Sequence, residues 1–422
     1  MTASFKKPEN RGAIYPWIIW ALGSLYFAYG FFQRVAPSVL VDDLMLEYAA
    51  GAAILGNLSA FYYYAYAGLQ IPVGILHDRF GPRRVLTVAA VVCGMGSLLF
   101  AMAPSLELAY AGRLLVGAGA AFAWVGTLKL ASNWFPPHRF AMITGLTLMI
   151  GMIGGIIGQA PLALMIDAFG WRETLTASCV IIFIIPLIIG VTVRDGASRQ
   201  SGPRLYDVLQ AALSVLKKGQ TWYVAFVGMS LAVLVLAFMG LWGVPFFMEV
   251  YGLDRPTAAL AATMGLAGQG VGAPLLGWAS DTMRRRRLPI IVGMTSATVI
   301  FAVLVYGPVL PLPLVYVLMF AMGMSTSCAV IGFAAAKECA PAAAAGVTIA
   351  CINAFFMTGG ALMQPIAGWL LDLYWDGTLV EGARVYGVDV WRIAFAPFAA
   401  ACALGVLCAL KIRETHCRPL EE

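Results

Sequence analysis

Three cationic side chains interrupt otherwise apolar stretches of this 422-residue chain: Arg34, Arg113 and Lys129. Hydrocarbon cannot solvate a charge, so each is a candidate for holding an anion or for carrying a conformational signal. Arg34 is accompanied by Tyr26, Tyr29, Gly30, Gln33 and Pro37, and the 26, 30, 33/34, 37 spacing puts tyrosines, arginine and a kink near one helix face. A guanidinium there could fork onto a carboxylate; the competing reading is a side chain that snorkels to headgroups about 9 Å away. Tyr62, Tyr66 and Gln70 recur at i, i+4 and i+8 and form a second polar-aromatic stripe. Trp124 and Gln159 join them as candidate solute contacts, with Trp242, Asn353, Phe356 and Gln364 from the second half of the chain. Arg113 and Lys129 are read as coupling or gate residues rather than ligands.

Other chemistry is missing. The eight cysteines contain no CxxC pair, and the only histidines are His77, His138 and His416, so neither a metal site nor a cofactor is expected. No Asp or Glu falls in the middle of an apolar stretch, which disfavours a cationic solute, and no cluster at catalytic spacing suggests an enzyme.

These residues need a scaffold, and composition dictates which. With 61% hydrophobic and 11% charged residues, against about 25% charged in soluble domains, the chain reads as an all-α polytopic membrane protein. Twelve stretches of bilayer-spanning length are expected near residues 15–40, 50–75, 85–103, 107–131, 141–167, 174–193, 221–249, 258–280, 288–307, 312–336, 344–372 and 391–411. If the N-terminus is cytoplasmic, the inside segments hold twenty Lys and Arg, among them Lys6, Lys7, Arg11, Arg199 and Arg204, and the outside loops four: Arg172, Arg255, Arg384 and Arg392. The positive-inside rule then places both termini in the cytoplasm. The net charge of +6 comes from scattered loop residues, so the bilayer is the expected partner and nucleic acid is not.

An internal repeat fixes the organisation. Gly74-x-x-x-Asp78 with Arg83-Arg84 recurs as Gly277-x-x-x-Asp281 with Arg284 to Arg287. Met152-x-Gly154-Gly155-x-x-x-Gln159, ending at Asp167, recurs as Met357-x-Gly359-Gly360-x-x-x-Gln364, ending at Asp372. Two six-helix bundles are expected, at 1–193 and 221–422, joined by a cytoplasmic linker at 194–220 with a short amphipathic helix at Leu205 to Leu216.

The segment Gly74-Ile75-Leu76-His77-Asp78-Arg79-Phe80-Gly81-Pro82-Arg83-Arg84 resembles the loop 2–3 signature of the major facilitator superfamily (MFS), G-x-L-x-D-R-x-G-x-R-R. The resemblance covers essentially the whole chain. It implies nested inverted repeats, a midplane site between the halves and transport by alternating access. It also implies that Gly74, Asp78, Arg79, Gly81, Arg83 and Arg84, with Asp281 in the degenerate copy, form a conformational latch. Arg34 resembles the solute-contacting arginine of the organic-anion and organophosphate branches. Arg113-x-x-x-Gly117 resembles a motif tied to proton-linked change, with Val116 where glutamine is usual. Gly145, Gly154 and Gly158 match the glycine spacing of an antiporter motif without its proline, and close helix packing is the simpler reading. The expected function is a monomeric bacterial inner-membrane transporter of a small carboxylate-bearing solute, with protons or another ion as candidate coupling partners. A siderophore or metabolite exporter and a non-transporting receptor or assembly factor on the same scaffold are the alternatives.

Overall fold

The computed structural model describes residues 14–136, 139–194, 205–340, 345–380 and 382–418. Lys6, Lys7, Arg11, His138, Arg199 and Arg204 lie outside them. Twelve crossings are formed. In the first half they are α1 (Tyr15–Val35), α3 (Ala52–Phe80), α4 (Pro82–Ala101), α5 (Leu106–Trp134), the broken α6 (Phe140–Ile157) and α7 (Ala160–Phe169), and α8 (Trp171–Thr192). A short α2 (Val41–Tyr48) lies between the first two crossings, and the linker contains α9 (Leu205–Leu216).

In the second half, α10 (Gly219–Ala232) passes through a π-helical stretch, Val233–Trp242, into α11 (Gly243–Tyr251). Then follow α12 (Arg255–Met283), α13 (Arg287–Tyr306), the pair α14 (Leu312–Thr326) and α15 (Ala329–Glu338), α16 (Ala345–Leu373), and the pair α17 (Val388–Ala394) and α18 (Ala396–Ala409). A two-stranded ribbon, β1 (Leu379–Val380) with β2 (Ala383–Arg384), precedes α17. Ten crossings satisfy length and apolarity by themselves. The tyrosines and polar residues of α1 and α3, which dilute hydropathy without preventing burial, account for the other two.

The first apolar stretch is not one helix to residue 40. It ends at Val35, passes through a 3-10 turn at Ala36–Val39 and turns into α2. Pro37 cannot donate to the ladder of α1, and a 3-10 turn absorbs the change of direction. Both described termini emerge at one end of the bundle, called here the basic end: the Tyr15 hydroxyl donates to the Thr192 carbonyl at 2.6 Å, and Gln220 bonds both Lys411 and Arg413 there. The opposite end is the distal end.

Small residues let the backbones approach. A Cβ at Gly154 would overlap the Ala28 carbonyl, one at Gly117 the Tyr62 carbonyl, and one at Gly158 would sit 2.8 Å from Val35 Cγ2. Between the halves, α3 and α16 close on each other at the distal end through Gly56, against the Gln364 carbonyl, and Gly368, against that of Ala52. Gly145 has open space around it. Gly154→Leu should therefore destabilise the folded protein by about 1–3 kcal/mol through overpacking, and Gly145→Leu by less than about 0.5 kcal/mol. Thermal unfolding in detergent reads both, and equal effects would remove the packing role of this glycine pattern.

Candidate functional site

Arg34 is held near the distal end of α1, buried to 5% exposure. Its guanidinium carbon lies 4.3 Å from the Phe31 ring centre, 5.2 Å from Tyr66 and 5.6 Å from Tyr62. One Nη donates to the Tyr62 hydroxyl at 3.5 Å, and that hydroxyl donates on to the Gly30 carbonyl at 3.3 Å. Nε has no partner. The side chain thus points into protein rather than snorkelling. Aromatic faces attract the cation, but no carboxylate of the described residues pairs with it, so its charge is uncompensated in low dielectric.

Tyr62 stacks on Tyr66, with ring centres 5.8 Å apart, and on its far side lies a second buried guanidinium. Arg113 sits 5.3 Å from the Tyr62 ring and 5.7 Å from that of Phe100. Its Nη1 donates to the Gln33 carbonyl at 2.7 Å, while Nε and Nη2 are unpartnered. That bond ties α5 to α1 just where α1 is about to break.

The stripe expected on α1 is divided. Tyr26 is enclosed, its hydroxyl donating to the Gly119 carbonyl at 2.7 Å. Tyr29 accepts from Gln33 Nε2 at 2.8 Å and faces Ser97 and Ser178 on α4 and α8. These three face away from Arg34 because successive residues on a helix step about 100°, so 29 and 33 share a face that 31 and 34 do not. On α3, Gln70 bridges to the other half: Asn353 Nδ2 on α16 donates to its Oε1 at 2.8 Å. Trp124 packs on the Phe27 ring at 5.0 Å and Phe356 is buried on α16. Trp242, expected as a wall, lies in an aromatic cluster with Trp391, its Nε1 donating to the Gln364 carbonyl at 3.0 Å. Gln159 and Gln364 are fully buried, and their amides reach the π-helical stretch.

The two ends differ in which halves their charges join. At the distal end some bonds are internal to one half, as between Arg172 and Glu47 at 2.7 Å, and others cross between the halves. Arg255, opening α12, lies 3.0 Å from Asp43 and 3.5 Å from Asp167. Asp372, ending α16, accepts from the N–H groups of Ala52 and Ala53 at 3.0 and 2.9 Å and so caps α3. Arg384 and the Tyr386 hydroxyl hold the same carboxylate at 3.0 and 2.9 Å. Asp167 and Asp372 are counterparts in the sequence repeat, so the closure is itself nearly twofold. The sequence marked both as span ends and Arg255 and Arg384 as loop charges; what it lacked was their pairing. Glu249 adds a carboxylate near the distal end of α11, accepting from the Tyr386 N–H and Trp391 Nε1, each at 2.8 Å.

At the basic end the ion pairs among the described residues stay within each half. Asp78 pairs with Lys129 at 2.6 Å, not with its arginine neighbours. Arg83 donates to the Gly190 carbonyl, Arg79 lies over the Phe80 ring, and Arg84 is exposed beside an apolar groove. Gly81 joins α3 to α4 at φ +82°, a conformation other residues resist, whereas Gly74 has open space beside it. In the second copy Arg286 bridges Asp281 at 2.6 Å and Glu338 at 2.8 Å. Burial opposes its charge, but those carboxylates hold its pKa above the usual value. Glu414 caps α13 through the N–H groups of Arg286 and Arg287 at 2.7 and 3.1 Å. Asp78, Arg79, Arg83 and Arg84 thus lie around one turn with separate partners, and among the described residues the basic-end ion pairs are internal to each half while the distal end is shut.

The family model described as Major Facilitator Superfamily matches residues 22–255 and 231–420. The chain is 26% identical over 392 residues to YybO, a transporter of Bacillus subtilis (strain 168), covering 86% of this chain and 89% of that one. It is also 26% identical to a probable sulfoacetate transporter, SauU, of Cupriavidus necator, over 62% of this chain and 64% of the relative. Among solved structures, a bacterial homolog of the human lysosomal transporter Spinster, inward-facing and unoccupied, superposes with a TM-score of 0.76 at 16% identity, covering 96% of this chain and 99% of that one. The twelve crossings, the loop signature with its second copy and these matches together assign the chain to the Major Facilitator Superfamily: it is a multi-pass membrane transporter and not an enzyme.

Proposed function

We propose that the solute is a small organic anion bearing a carboxylate, clamped by Arg34 and oriented by Tyr62 and Tyr66. The observation that carries this reading is the buried, uncompensated guanidinium whose Nε has no acceptor. A planar fork with free donors matches a carboxylate, and aromatic faces on either side accept the organic part. Sulfoacetate, named for one relative, is an organic anion of this class and supports the reading. Gln70 and Asn353, already bonded across the halves, supply a neutral polar contact from the opposite side. Arg113, locked to the α1 backbone, transmits strain from the broken helix rather than touching solute.

Alternating access gives the two ends their roles. With both termini in the cytoplasm, as the basic asymmetry argues, the distal end faces outward and is the closed one here. Asp78, released from any cross-half bond and held by Lys129, would engage the opposite half when the basic end closes.

A cysteine replacing Thr378 should label from outside intact cells, and one replacing Gln200 only after permeabilisation; the opposite pattern reverses the orientation. For the anion clamp, purified wild type, Arg34→Lys and Arg34→Ala are titrated calorimetrically with sulfoacetate, succinate and a panel of amino acids, and with the neutral amides of the carboxylates that bind. Arg34→Ala should weaken carboxylate binding by about 2–5 kcal/mol. Lysine should restore part of it, lacking the fork. Equal affinities across the three proteins, or no preference for carboxylate over amide, would falsify the anion clamp.

A further inference from the structure

The two glutamines that the repeat relates both reach the π-helical stretch, Gln159 from the opposite half and Gln364 from the same one. Gln159 stands at the break between α6 and α7. Its Nε2 donates to the Met239 carbonyl at 3.2 Å, in the π-helical stretch of the other half, and its Oε1 accepts from Ser38 Oγ at 3.1 Å, in the 3-10 turn that ends α1. One amide thereby ties both irregular segments together. Gln364 occupies the same place in the repeat, and its Nε2 donates to the Leu236 carbonyl at 2.8 Å, three residues earlier in the same stretch. Its Oε1 has no acceptor-satisfying donor and the buried Tyr63 hydroxyl has no partner, yet Tyr63 of the first half faces Gln364 of the second.

Three features make this more than packing. A π-helix bonds its carbonyls in less favourable geometry than an α-helix and persists where other donors support it; here both side-chain donors come from repeat-related positions. The bond from Gln159 to Met239 crosses between halves, so it must break when they part at this depth. Tyr63 also abuts Tyr62, ring centres 5.2 Å apart, and Tyr62 touches Arg34. The clasp therefore begins one residue from the charged pocket and lies between it and the distal closure.

We infer that Gln159 is a positioning residue whose side-chain amide holds the π-helical stretch of the second half against the α1 turn and so favours the closed distal end over the open one, while Gln364 steadies the same stretch from within its own half. Neither contacts solute in this role. The inference stands independently of the anion reading, because it concerns the protein without ligand.

The test is a distance measurement by pulsed electron spin resonance in ligand-free protein. Spin labels are placed at Glu107 and Val309, exposed at the distal ends of the two halves, after replacing the eight native cysteines. Gln159→Met and Gln364→Met keep the side-chain length and lose the amide. Gln159→Met should raise the long-distance population relative to the short one by about five-fold, the weight of one neutral hydrogen bond, whereas Gln364→Met, whose lost bond lies within the second half, and Val88→Ala, exposed on α4, should leave that ratio unchanged. Should Gln159→Met fail to fold, Ser38→Ala removes the far end of the Gln159 bond by deleting one hydroxyl and should move the ratio in the same direction. A lowered melting temperature with an unchanged ratio in Gln159→Met or Ser38→Ala would show a merely structural role and overturn the inference, as would a shift toward the shorter distance.

Discussion

A bilayer offers neither donors nor acceptors, so every polar group that leaves a regular helix inside it must be satisfied by another part of the chain. The structure is organised around that constraint. Where α1 breaks, the Gln33 carbonyl takes a bond from Arg113 and Ser38 bonds back to the Val35 carbonyl and across to Gln159. Where the seventh crossing becomes π-helical, glutamines from both halves meet its carbonyls. Where α3 begins, Asp372 from the other half accepts from its first two N–H groups. Some of these bonds stay within one half, as from Arg113 to Gln33 and from Gln364 to Leu236, and others cross between the halves, as from Gln159 to Met239 and from the start of α3 to Asp372. Regular helix, by contrast, is what faces lipid: Val88, Leu187 and Val191 are exposed on α4 and α8.

The same constraint explains which parts were legible in the sequence. Spans follow from apolar length, and the signature at 74–84 marks the first cytoplasmic-type turn, because Gly81 needs a positive φ and no other residue takes it readily. The buried cations were visible because charge in an apolar stretch has no neutral explanation. What periodicity could not show was helical phase next to a break. Tyr29, Gln33 and Arg34 fall within one and a half turns, yet a single step of about 100° separates the face that meets α4 and α8 from the face that meets Tyr62. Nor does a hydropathy pattern distinguish a π-helical stretch from an α-helical one. Val233–Trp242 is uniformly apolar and fully enclosed, so its irregularity is set by the glutamines and glycines opposite and not by its own residues.

Ion pairs identify the present arrangement better than burial does. The cross-half pairs, Arg255 with Asp43 and Asp167, and Asp372 with the start of α3, are all at the distal end. At the basic end, Asp78 and Asp281 are each held inside their own half, by Lys129 and Arg286. A carboxylate that is paired locally is still desolvated little enough to exchange partners: Asp78 and Lys129 are roughly a third exposed, so their bond is worth no more than about 1 kcal/mol. Such a pair parks the latch aspartate without trapping it.

That weakness is a requirement of the function. A transporter must hold two closures at comparable free energy, since a solute can move the equilibrium only by the difference in its affinity for the two states. Moving it from 1:99 to 99:1 would take about 5.5 kcal/mol of differential affinity. A fork from Arg34 to a carboxylate supplies on the order of 2–5 kcal/mol. The distal closure is then a sum of several terms: the largely buried pair of Arg255 with Asp43, one helix cap, two glycine contacts and neutral amide bonds, the last near 1 kcal/mol each. Two buried guanidiniums, those of Arg34 and Arg113, have no carboxylate partner among the described residues and keep unpartnered nitrogens; on the proposed reading it is the Arg34 fork that the solute anion meets.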